Sequence, residues 1–564
     1  MPDRGALPSR LGCCLLFAAC ALVLIGCGSD EPPSPRTTLD QTIALDADGN
    51  LVEGPGEPYT VRTELAQAQA DRDNRRRSLV VFHHLADFNI VDEESPLRSE
   101  WLEACGGAAS GRAFRPQESL SLHVAEALIA QANEIGQSPV TGGTSRFVIQ
   151  TGNAADNAQF NELRWSIDLM DGVPVDPESG AIGYQGVQTT SPAESYDDLL
   201  LQAQEPFIPV GLRYPWYAAA GNHDLLSQGT FAVTEANDRV ATGAQKIFAL
   251  GPSALEQACS PDAVFGPGPS AELINDPETS IRGVGADRNR RLVSRSDWVR
   301  EHLNSGQSPG PPGHGFTEEM ADDGRAYYTF ERGGVSFIVL DSANPTGFPS
   351  GSLDAAQFAW LEEQLIARSS HYTDAAGQSV TSENSDQLIV IVSHHPAGVM
   401  TNPFPGPDGE ERLLGADVED MVGRFPNVVL WISGHTGRNS ISAKAGAGGG
   451  YWEVTTAGAL DYPMQGRLIE IVDNRDGTIS IFTTMYDLAT TLDPGDAKDA
   501  TPDDGLNQRL LAGVARQLAF NDPQRDPAGP GLALSDRNAE LLLPAPFDLS
   551  EPPRPTTPEQ TAAE

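Results

Sequence analysis

The chain reads Trp216-Tyr217-Ala218-Ala219-Ala220-Gly221-Asn222-His223-Asp224 at the place that decides its fold. The apolar run 216–220 predicts a short buried strand, and Gly221 marks the end of that strand. An amide, an imidazole and a carboxylate then follow in succession. In α/β proteins ligands bind at the carboxyl edge of the sheet, so this polar group predicts a site there. Taken alone, the stretch is also compatible with an ordinary strand-to-loop turn.

Other apolar runs of the chain end in the same way. The polar segments after them are Asp87-Phe88-Asn89, Gly152-Asn153-Ala154-Ala155-Asp156-Asn157, His394-His395-Pro396 and Gly434-His435-Thr436-Gly437. The runs before these segments predict strands over 78–84, 147–150, 387–393 and 428–433. Helical patterns lie between the strands, and this alternation is typical of a layered α/β domain. The repeated placement predicts that the polar segments meet at one edge.

These segments, in this order, resemble the motifs of the calcineurin-like metallophosphoesterase superfamily over roughly residues 78–487. Three further segments, 91–96, 114–118 and 161–163, resemble a bacterial exported subgroup. The resemblance implies a four-layer α/β/β/α sandwich and metal-dependent hydrolysis of phosphoester bonds. It also implies a pair of divalent cations (Mn, Fe or Zn) at the sheet edge, where the cations lower the pKa of a shared water.

The resemblance assigns metal ligands residue by residue. The matching positions are Asp87, Asn153 in the place of the bridging aspartate, Asn222, His394 and His435. Asn89 and Gly437 stand where the family has histidines. A carboxylate is needed to bridge two dications, and an amide oxygen carries no formal charge. We therefore expect one weakly bound ion or none, rather than two.

Other residues near the motifs are candidates for chemistry. Asp156 could lend a carboxylate to the damaged half of the site, or it caps a helix beginning near Asn157. His223 is the candidate general acid, with Asp224 fixing its tautomer, although the two could instead hold the loop. Arg438 could contact a phosphoryl oxygen or be an ordinary exposed arginine.

Some polar residues near the motifs are expected to have structural roles. His83 and His84 lie inside a strand, and His395 should point away from His394 because side chains alternate along a strand. The acidic loop 92–94 has no expected ligand position, so we expect its side chains to be solvated.

Two hypotheses for function follow from the substituted ligands. The first is a phosphoesterase that works with one metal or with a rearranged pair using Asp156. The second is a catalytically silent protein of the same fold, acting as a binding or scaffold module in the cell envelope. A fold does not guarantee an activity, so the motifs alone leave both open.

The N-terminus predicts export. Basic residues precede the apolar run 11–25, which is too short to span a bilayer comfortably, so residues 1–26 are expected to be a signal peptide. The sequence Leu24-Ile25-Gly26-Cys27 resembles the lipobox of bacterial lipoproteins, which implies a lipid on Cys27 and attachment to a membrane of the cell envelope. An ordinary secretory signal is the alternative.

Export also bears on the remaining cysteines. Once the signal peptide has left and Cys27 carries a lipid, Cys105 and Cys259 remain. Two cysteines in an oxidising compartment are expected to form a disulfide. Two separately buried thiols are the alternative.

The charge of the chain excludes one class of partner. The formal net charge is −41, from 78 acidic and 37 basic side chains. Binding of nucleic acid depends on Lys and Arg neutralising phosphates, so we expect no nucleic-acid partner. The acidic surface is expected to keep the protein soluble.

The composition divides the chain into parts. We expect a tether over 27–60, the main domain over 61–488 with a helix near 62–71, and a long irregular insertion over 225–324. A C-terminal extension, 489–564, is expected to hold one helix near 507–518 and to be disordered after about residue 544.

Overall fold

A computed structural model describes residues 37–105, 113–188, 199–259, 276–306, 309–406, 409–446, 448–493, 506–523 and 533–550. All of these residues belong to one unit of the chain, Pro35–Glu564. The predicted signal peptide, Cys27 and the last residues of the extension, 551–564, lie outside the described ranges. The expectations about them therefore remain predictions.

The described strands occur throughout the chain. They are β1 (Gln41–Leu45), β2 (Leu51–Pro55), β3 (Thr60–Arg62), β4 (Arg77–Leu85), β5 (Val148–Gln150), β6 (Trp216–Ala218), β7 (Gln245–Ala249), β8 (Ser280–Gly283), β9 (Tyr328–Arg332), β10 (Val335–Val339), β11 (Leu353–Asp354), β12 (His371–Thr373), β13 (Ser379–Thr381), β14 (Leu388–Val392), β15 (Arg412–Leu413), β16 (Val428–Ser433), β17 (Ser440–Lys444), β18 (Tyr451–Thr455), β19 (Gln465–Asp473), β20 (Thr478–Asp487) and β21 (Ala539–Pro544).

The described α-helices alternate with these strands. They are α1 (Ser121–Glu134), α2 (Phe160–Asp171), α3 (Leu199–Ala203), α4 (Asn222–Leu225), α5 (Glu235–Ala241), α6 (Pro252–Ala258), α7 (Arg295–Leu303), α8 (Glu318–Asp323), α9 (Ala355–Ala367), α10 (Gly415–Val422) and α11 (Leu506–Asn521). Helix α9 begins at a capping residue: the Asp354 carboxylate accepts a hydrogen bond from the backbone N–H of Gln357 at 2.7 Å.

Two large sheets form the centre of the molecule. One has seven strands in the order β3-β21-β20-β19-β4-β5-β6, and the other has six in the order β17-β18-β16-β14-β10-β9. The pairs β4–β5 and β5–β6 are parallel in the first sheet, as are β10–β14, β14–β16 and β16–β18 in the second. The strands that precede the polar segments are therefore all in the parallel parts of the sheets.

The two sheets pack face to face. The ring of Phe82 on β4 lies edge-on to the ring of Phe337 on β10, with centroids 5.5 Å apart. Phe147, next to β5, also meets Phe337 at 5.2 Å. These buried side chains belong to one hydrophobic core shared by both sheets. Because side chains alternate along a strand, the other face of each sheet is left for helices.

Helices cover those outer faces. On the six-stranded sheet, Ile338 and Ile389 pack with Leu361 of α9 and Val418 of α10 in a second core. On the seven-stranded sheet, α1 contacts β19, β20 and α11. The layers are thus helices, sheet, sheet and helices, and the predicted four-layer α/β/β/α class is confirmed.

The predicted tether is shorter than expected. Strands β1, β2 and β3 lie within or at the end of 27–60, and the predicted helix near 62–71 is absent from the described structure. The backbone N–H of Thr38 donates to the carbonyl of Met485 at 2.9 Å, and β3 pairs with β21. The backbone groups of an edge strand need hydrogen-bond partners, and this N-terminal segment supplies them. Its residues are mostly polar, so their sequence has no apolar pattern that would predict strands.

The insertion is more regular than its sequence suggests. Residues 225–324 contain α5–α8 and the β7–β8 pair within their described parts. The helices are short and start at capping residues: Thr234, Ser294 and Thr317 each accept a hydrogen bond from a backbone N–H in the first turn. Helices of 6–9 residues show too little apolar periodicity to be recognised.

The C-terminal extension joins the main domain. Helix α11 includes the predicted helix near 507–518 and extends it at both ends. Strand β21 pairs with β20 and β3, which the sequence did not indicate. Disorder was expected after about residue 544, and the range 551–564 lies outside the described residues.

A disulfide fastens the insertion to the segment after β4. It joins Cys105 and Cys259, the pair that the cysteine count favours, with the Cα atoms 5.2 Å apart. Nearby, the buried Lys246 of the insertion donates to the Glu100 carboxylate at 2.7 Å. Part of the insertion is therefore held against residues that adjoin the site.

None of the helices in the described part of the chain combines the length and the apolar character needed to cross a bilayer.

Candidate active site

The polar segments of both sheets meet at one place. Asp87 and Asn153 follow β4 and β5 of the seven-stranded sheet, whereas His394 and His435 follow β14 and β16 of the other sheet. His394 connects the two sheets, because its Nδ1 lies 2.9 Å from the carbonyl oxygen of Thr151. Asn222, at the start of α4, completes the group.

The backbone at this edge is strained. Asp87, Asn89, Asn153 and His435 all have left-handed φ angles, of 51°, 43°, 52° and 70°. Asn, Asp and His tolerate this region better than other residues, yet each such residue has an energetic cost. Clusters of left-handed residues occur where the surrounding structure holds side chains for a function.

Three possible ligand atoms converge at the centre of the site. The Nε2 atom of His394 lies 2.9 Å from Oδ1 of Asn222 and 3.2 Å from Nδ1 of His435. Nδ1 of His435 lies 3.3 Å from the same amide oxygen.

The contact between Asn222 and His394 joins two acceptors. His394 must carry its proton on Nδ1, because that atom bonds a carbonyl, and burial lowers the pKa of this histidine well below its ordinary value. Its Nε2 therefore presents a lone pair. The amide of Asn222 is fixed as well, because its Nδ2 donates to the carbonyl of Gly229 at 2.8 Å. Two lone pairs at 2.9 Å repel each other unless a cation lies between the ligands.

The donor set fits one divalent cation. In a four-coordinate site with bonds of about 2.0–2.1 Å, neighbouring ligand atoms lie roughly 3.3 Å apart. The three distances here, 2.9, 3.2 and 3.3 Å, are close to that spacing. Two imidazoles with an amide oxygen suit Mn, Fe or Zn. Asn222, His394 and His435 are thus the residues that would hold a cation.

His395 lies near these ligands but is engaged elsewhere. His394, His395 and His435 form a group whose nitrogens lie within 4.8 Å of one another. Nε2 of His395 bonds the carbonyl oxygen of Pro349 at 2.9 Å, and its Nδ1 lies 2.7 Å from the Ser342 hydroxyl. With both nitrogens hydrogen-bonded, His395 supports the site by packing, in the structural role expected from its sequence.

The other half of the predicted metal pair is filled by hydrogen bonds. Nδ2 of Asn153 donates to Oδ1 of Asp87 at 2.8 Å, and the backbone N–H of His435 donates to Oδ2 of the same carboxylate at 2.9 Å. Oδ1 of Asn153 accepts from the backbone N–H of His223 at 3.0 Å. If the side-chain amide of Asn153 were flipped, its oxygen would face the Asp87 carboxylate and its NH₂ group would face the backbone N–H of His223. Both contacts would be repulsive. Asn153 is therefore not placed as a ligand, which corrects its assignment.

Asn89 and Gly437 offer no replacement ligand. The amide Nδ2 of Asn89 donates to Oδ1 of Asp156 at 3.2 Å, so its donor side faces the acid. Gly437 has no side chain. Asp87 thus has one carboxylate oxygen bonded to an amide and the other to a backbone N–H, and this half does not fit a second cation.

Asp156 is not available as a rescuing ligand. Its carboxylate forms a buried ion pair with Arg98, and Arg115 approaches it at 3.8 Å. Although burial acts to raise the pKa of Asp156, the Arg98 charge and a hydrogen bond from His223 hold it below its usual range. The capping role is also wrong, because helix α2 begins at Phe160 and the residue at its N-cap position is Gln159.

His223 has a different orienting partner from the predicted one. Its Nδ1 donates to the backbone carbonyl of Asp156 at 2.8 Å and lies 3.3 Å from the Asp156 carboxylate. Asp224 instead accepts from the backbone N–H groups of Gly221 at 2.8 Å and Ala155 at 2.9 Å. Asp224 therefore fixes the loop, and burial raises its pKa to about 6. Because Nδ1 of His223 is the donor, its Nε2 is left for chemistry.

Arg438 is exposed at the end of the last motif. Its backbone N–H bonds the Thr436 hydroxyl at 3.3 Å, closing the turn after His435. Arg438 is therefore exposed, as one of its two predicted roles required. Its contact with a phosphoryl oxygen, the other role, remains a prediction.

The acidic loop 92–94 is buried, which corrects the expectation that its side chains are solvated. Asp92 accepts hydrogen bonds from Asn161 at 2.7 Å, Ser179 at 2.9 Å and Arg290 at 2.8 Å. Burial raises the pKa of Glu94 to about 7. The insertion supplies Arg290, so the loop is covered by residues that lie far away in the sequence.

The structure adds two residues that the sequence did not single out. Arg98 and Arg115 are both buried beside Asp156. Arg115 lies in the segment 114–118, whose resemblance to a subgroup drew attention to the segment but gave no residue a role. Neither arginine has a characteristic spacing from the motifs, so sequence reasoning had no signal for them.

Comparisons with known proteins find similar solved structures with low sequence identity to this chain. No protein-family model matches this chain, and no curated protein matches it. Among solved structures, a dimetal phosphatase from Danio rerio matches with 11% identity and a TM-score of 0.36, covering 73% of this chain and 100% of that chain.

Two other solved structures are similar to this chain over part of their length. A purple acid phosphatase from yellow lupin seeds has 10% identity and a TM-score of 0.28, covering 78% of this chain and 56% of its own. A putative 5'-nucleotidase from Staphylococcus aureus has 10% identity and a TM-score of 0.28, covering 78% and 58%. At this likeness the roles of individual residues rest on the geometry of this chain.

Proposed function

We propose that this chain is a member of the calcineurin-like metallophosphoesterase superfamily that hydrolyses phosphoester bonds with one divalent cation. Asn222, His394 and His435 hold the cation. The observation that carries the proposal is the acceptor-to-acceptor contact of 2.9 Å between Asn222 and His394, which a cation would relieve. The order of the motifs along the four-layer fold supports the same class.

The division of labour in hydrolysis follows from the site. A bound divalent cation supplies Lewis-acid stabilisation of the phosphoryl oxygens and lowers the pKa of water. In its doubly protonated form, His223 donates the proton on Nε2 to the oxygen of the leaving group and is left as the neutral ring, whose Nδ1–H still bonds the carbonyl of Asp156. The chain from Arg98 through Asp156 to His223 keeps the ring oriented.

Replacing His223 by glutamine is expected to slow hydrolysis according to the leaving group. An alkyl phosphate needs a proton on its departing oxygen, so its rate should fall by about 10²–10⁴-fold. In an aryl phosphate such as p-nitrophenyl phosphate, the leaving group departs as a stable anion and needs no proton. The rate of hydrolysis of this substrate should therefore fall by less than about tenfold. The measurement is kcat/KM for both substrates with Mn²⁺ present.

The matched control is His371→Gln, which changes an exposed histidine of β12. It should leave both rates unchanged. Equal losses on the alkyl and aryl substrates in the His223 variant would show that His223 is not the proton donor. If wild-type protein loaded with Mn²⁺ hydrolyses neither substrate, the catalytically silent binding module becomes the better account.

We also propose that the protein is exported and anchored in the cell envelope through a lipid on Cys27. The lipobox-like sequence 24–27 supports this proposal. Cys27→Ser is expected to move the protein from the membrane fraction to the soluble fraction when membranes are separated by centrifugation. A membrane-bound Cys27→Ser protein would contradict the proposal.

A further inference from the structure

The half of the site that lacks metal ligands contains two buried guanidinium groups. The side chains of Arg98 and Arg115 are 1% and 6% exposed, and both lie next to Asp156. Positive charge is therefore present in this half, although the bridging carboxylate and both imidazole ligands are missing from it. The two arginines differ in how fully they are used.

Arg98 has partners on all of its nitrogens. Its Nε donates to Glu100 at 3.2 Å, one terminal nitrogen pairs with Asp156, and the other donates to Glu118 at 2.8 Å. The terminal nitrogen that donates to Glu118 also donates to the carbonyl of Ala113 at 3.2 Å, so four of the five N–H donors of Arg98 are used within the fold. Arg98 therefore holds the fold and has little donor capacity for a substrate.

Arg115 is not saturated. Within the described residues, its buried Nε has no hydrogen-bond partner. Its acidic neighbours are too distant for hydrogen bonds. Nη1 of Arg115 lies 3.8 Å from Oδ1 of Asp156, and Nε lies 3.9 Å from Oδ1 of Asp461. A buried donor without a partner costs free energy, unless a ligand completes it.

The position of Arg115 connects it to both functional parts of the site. Through Asp156 it adjoins His223, whose Nδ1 lies 3.3 Å from that carboxylate. Asp461 lies next to Nε of the same guanidinium, whereas Asp156 lies next to Nη1. A Cβ atom added at Gly458 would be 2.9 Å from Oδ2 of Asp461 and 3.2 Å from Cβ of Asp87. The guanidinium of Arg115 is thus held between an acid beside His223 and an acid beside Asp87.

We propose that Arg115 binds the phosphoryl anion of the substrate, in the half of the site that would otherwise hold a second cation. This inference rests on the proposed function and gives a substrate-binding role to a residue outside the metal ligands. A guanidinium can donate two parallel hydrogen bonds to phosphate oxygens, which a point charge cannot do. It also supplies positive charge in the place of the second cation.

The neighbouring acids leave room for an anion. Asp156 makes its direct ion pair with Arg98, which also contacts Glu100 and Glu118. Lys246 shares Glu100, and burial raises the pKa of Glu118 to about 7, so these two acids draw only part of the Arg98 charge away from Asp156. Asp461 is partly exposed, at 24% of its side chain, so water screens its charge. The positive charge of Arg115 is therefore only loosely neutralised before substrate arrives.

The test is binding of inorganic phosphate to Mn²⁺-loaded protein, measured by titration calorimetry without turnover. Arg115→Gln is expected to weaken phosphate binding by about 10–100-fold, since it removes charge-assisted hydrogen bonds. Mn²⁺ affinity, measured separately, should stay within about twofold because Arg115 contacts none of the metal ligands. Arg115→Lys keeps the charge but loses the fork, so it should weaken phosphate binding less.

Arg239→Gln is the matched control, because Arg239 on α5 has no role at the site and 71% of its side chain is exposed. It should bind phosphate like the wild type. The proposal is overturned if Arg115→Gln binds phosphate normally, if it loses Mn²⁺ affinity in parallel, or if Arg239→Gln has an equal loss.

A second variant does not depend on the folding of Arg115→Gln. Asp461→Asn removes the charge of the partly exposed acid that competes for the guanidinium, so phosphate binding should tighten by a few fold. Unchanged or weaker binding in this variant would also contradict the proposal. If phosphate binding depends on Arg115 but no phosphoester is hydrolysed, the anion site stands and the proposed enzymatic function fails.

Discussion

Replacing His435 by asparagine is expected to lower the affinity for Mn²⁺ by at least about 100-fold and to abolish most hydrolysis. Losing an outer partner of a metal ligand already costs about 10–100-fold, so losing a direct ligand should cost at least the upper value. Nδ1 of His435 lies 3.2 Å from Nε2 of His394 and 3.3 Å from the Asn222 oxygen, so its removal opens one side of the donor set.

Asparagine suits this test because it tolerates the left-handed backbone that His435 adopts, with φ at 70°. His435 is also less deeply buried than His394, so the fold should be preserved. Calorimetric titration with Mn²⁺ gives the affinity, and thermal melting without metal reports on folding. The exposed His371→Asn variant is the control and should bind Mn²⁺ normally. A His435→Asn protein with normal Mn²⁺ affinity would remove His435 from the metal site.

Replacing Asn153 by aspartate is expected to destabilise the metal-free protein by about 3–5 kcal/mol at pH 8, because it leaves a buried charge uncompensated. The Nδ2 atom that now donates to Asp87 at 2.8 Å would become a carboxylate oxygen. Two carboxylates at this distance cannot both be ionised without a compensating charge, so the pKa of one is raised in the folded protein.

The sign of the pH dependence follows from that raised pKa. Below about pH 4, the pKa of a carboxyl group in the unfolded chain, the added acid is protonated in both states and costs little. As the pH rises toward the raised folded value, the unfolded chain releases the proton more readily and the folded state loses stability. The Asn153→Asp variant should take up more metal than the wild type, because a bridging carboxylate is present again. Added divalent cation should therefore restore the stability of this variant.

The double variant Asp87→Asn with Asn153→Asp is the matched control. It contains the same atoms as the wild type with the carboxylate and amide exchanged, so a hydrogen bond between them can form again. Chemical denaturation from pH 4 to pH 8 should show wild-type stability for the double variant and a pH-dependent loss for Asn153→Asp. Equal stability of Asn153→Asp and wild type at pH 8 without metal would contradict the hydrogen-bonded arrangement.

The fold was largely predictable because the buried strands are long apolar runs. Strand β16 begins and ends at the predicted residues 428 and 433, and β14 differs by one residue at each end. Such runs need a buried sheet whatever surrounds them. Strands β3 and β21 escaped prediction because their pairing depends on contacts between the two ends of the described chain.

The site was predictable in its members but not in its hydrogen bonds. The resemblance of the motifs to a known family assigned Asn222, His394 and His435 to one metal site, and the fold brings the three together. It could not show that Asn153 turns its amide toward Asp87, because either orientation has the same sequence. It also paired His223 with the adjacent Asp224, whereas the fold places Asp156 against the ring. Nearness in the sequence is a poor guide to hydrogen bonds made across strand ends.

The most direct test of the account is the number of divalent cations that the wild-type chain binds. Equilibrium dialysis against Mn²⁺ followed by elemental analysis should give one ion per chain, held by the Asn222, His394 and His435 group. Two ions per chain would contradict the conclusion that hydrogen bonds fill the Asp87 half. No bound ion at millimolar Mn²⁺ would show that the three converging donors do not form a metal site.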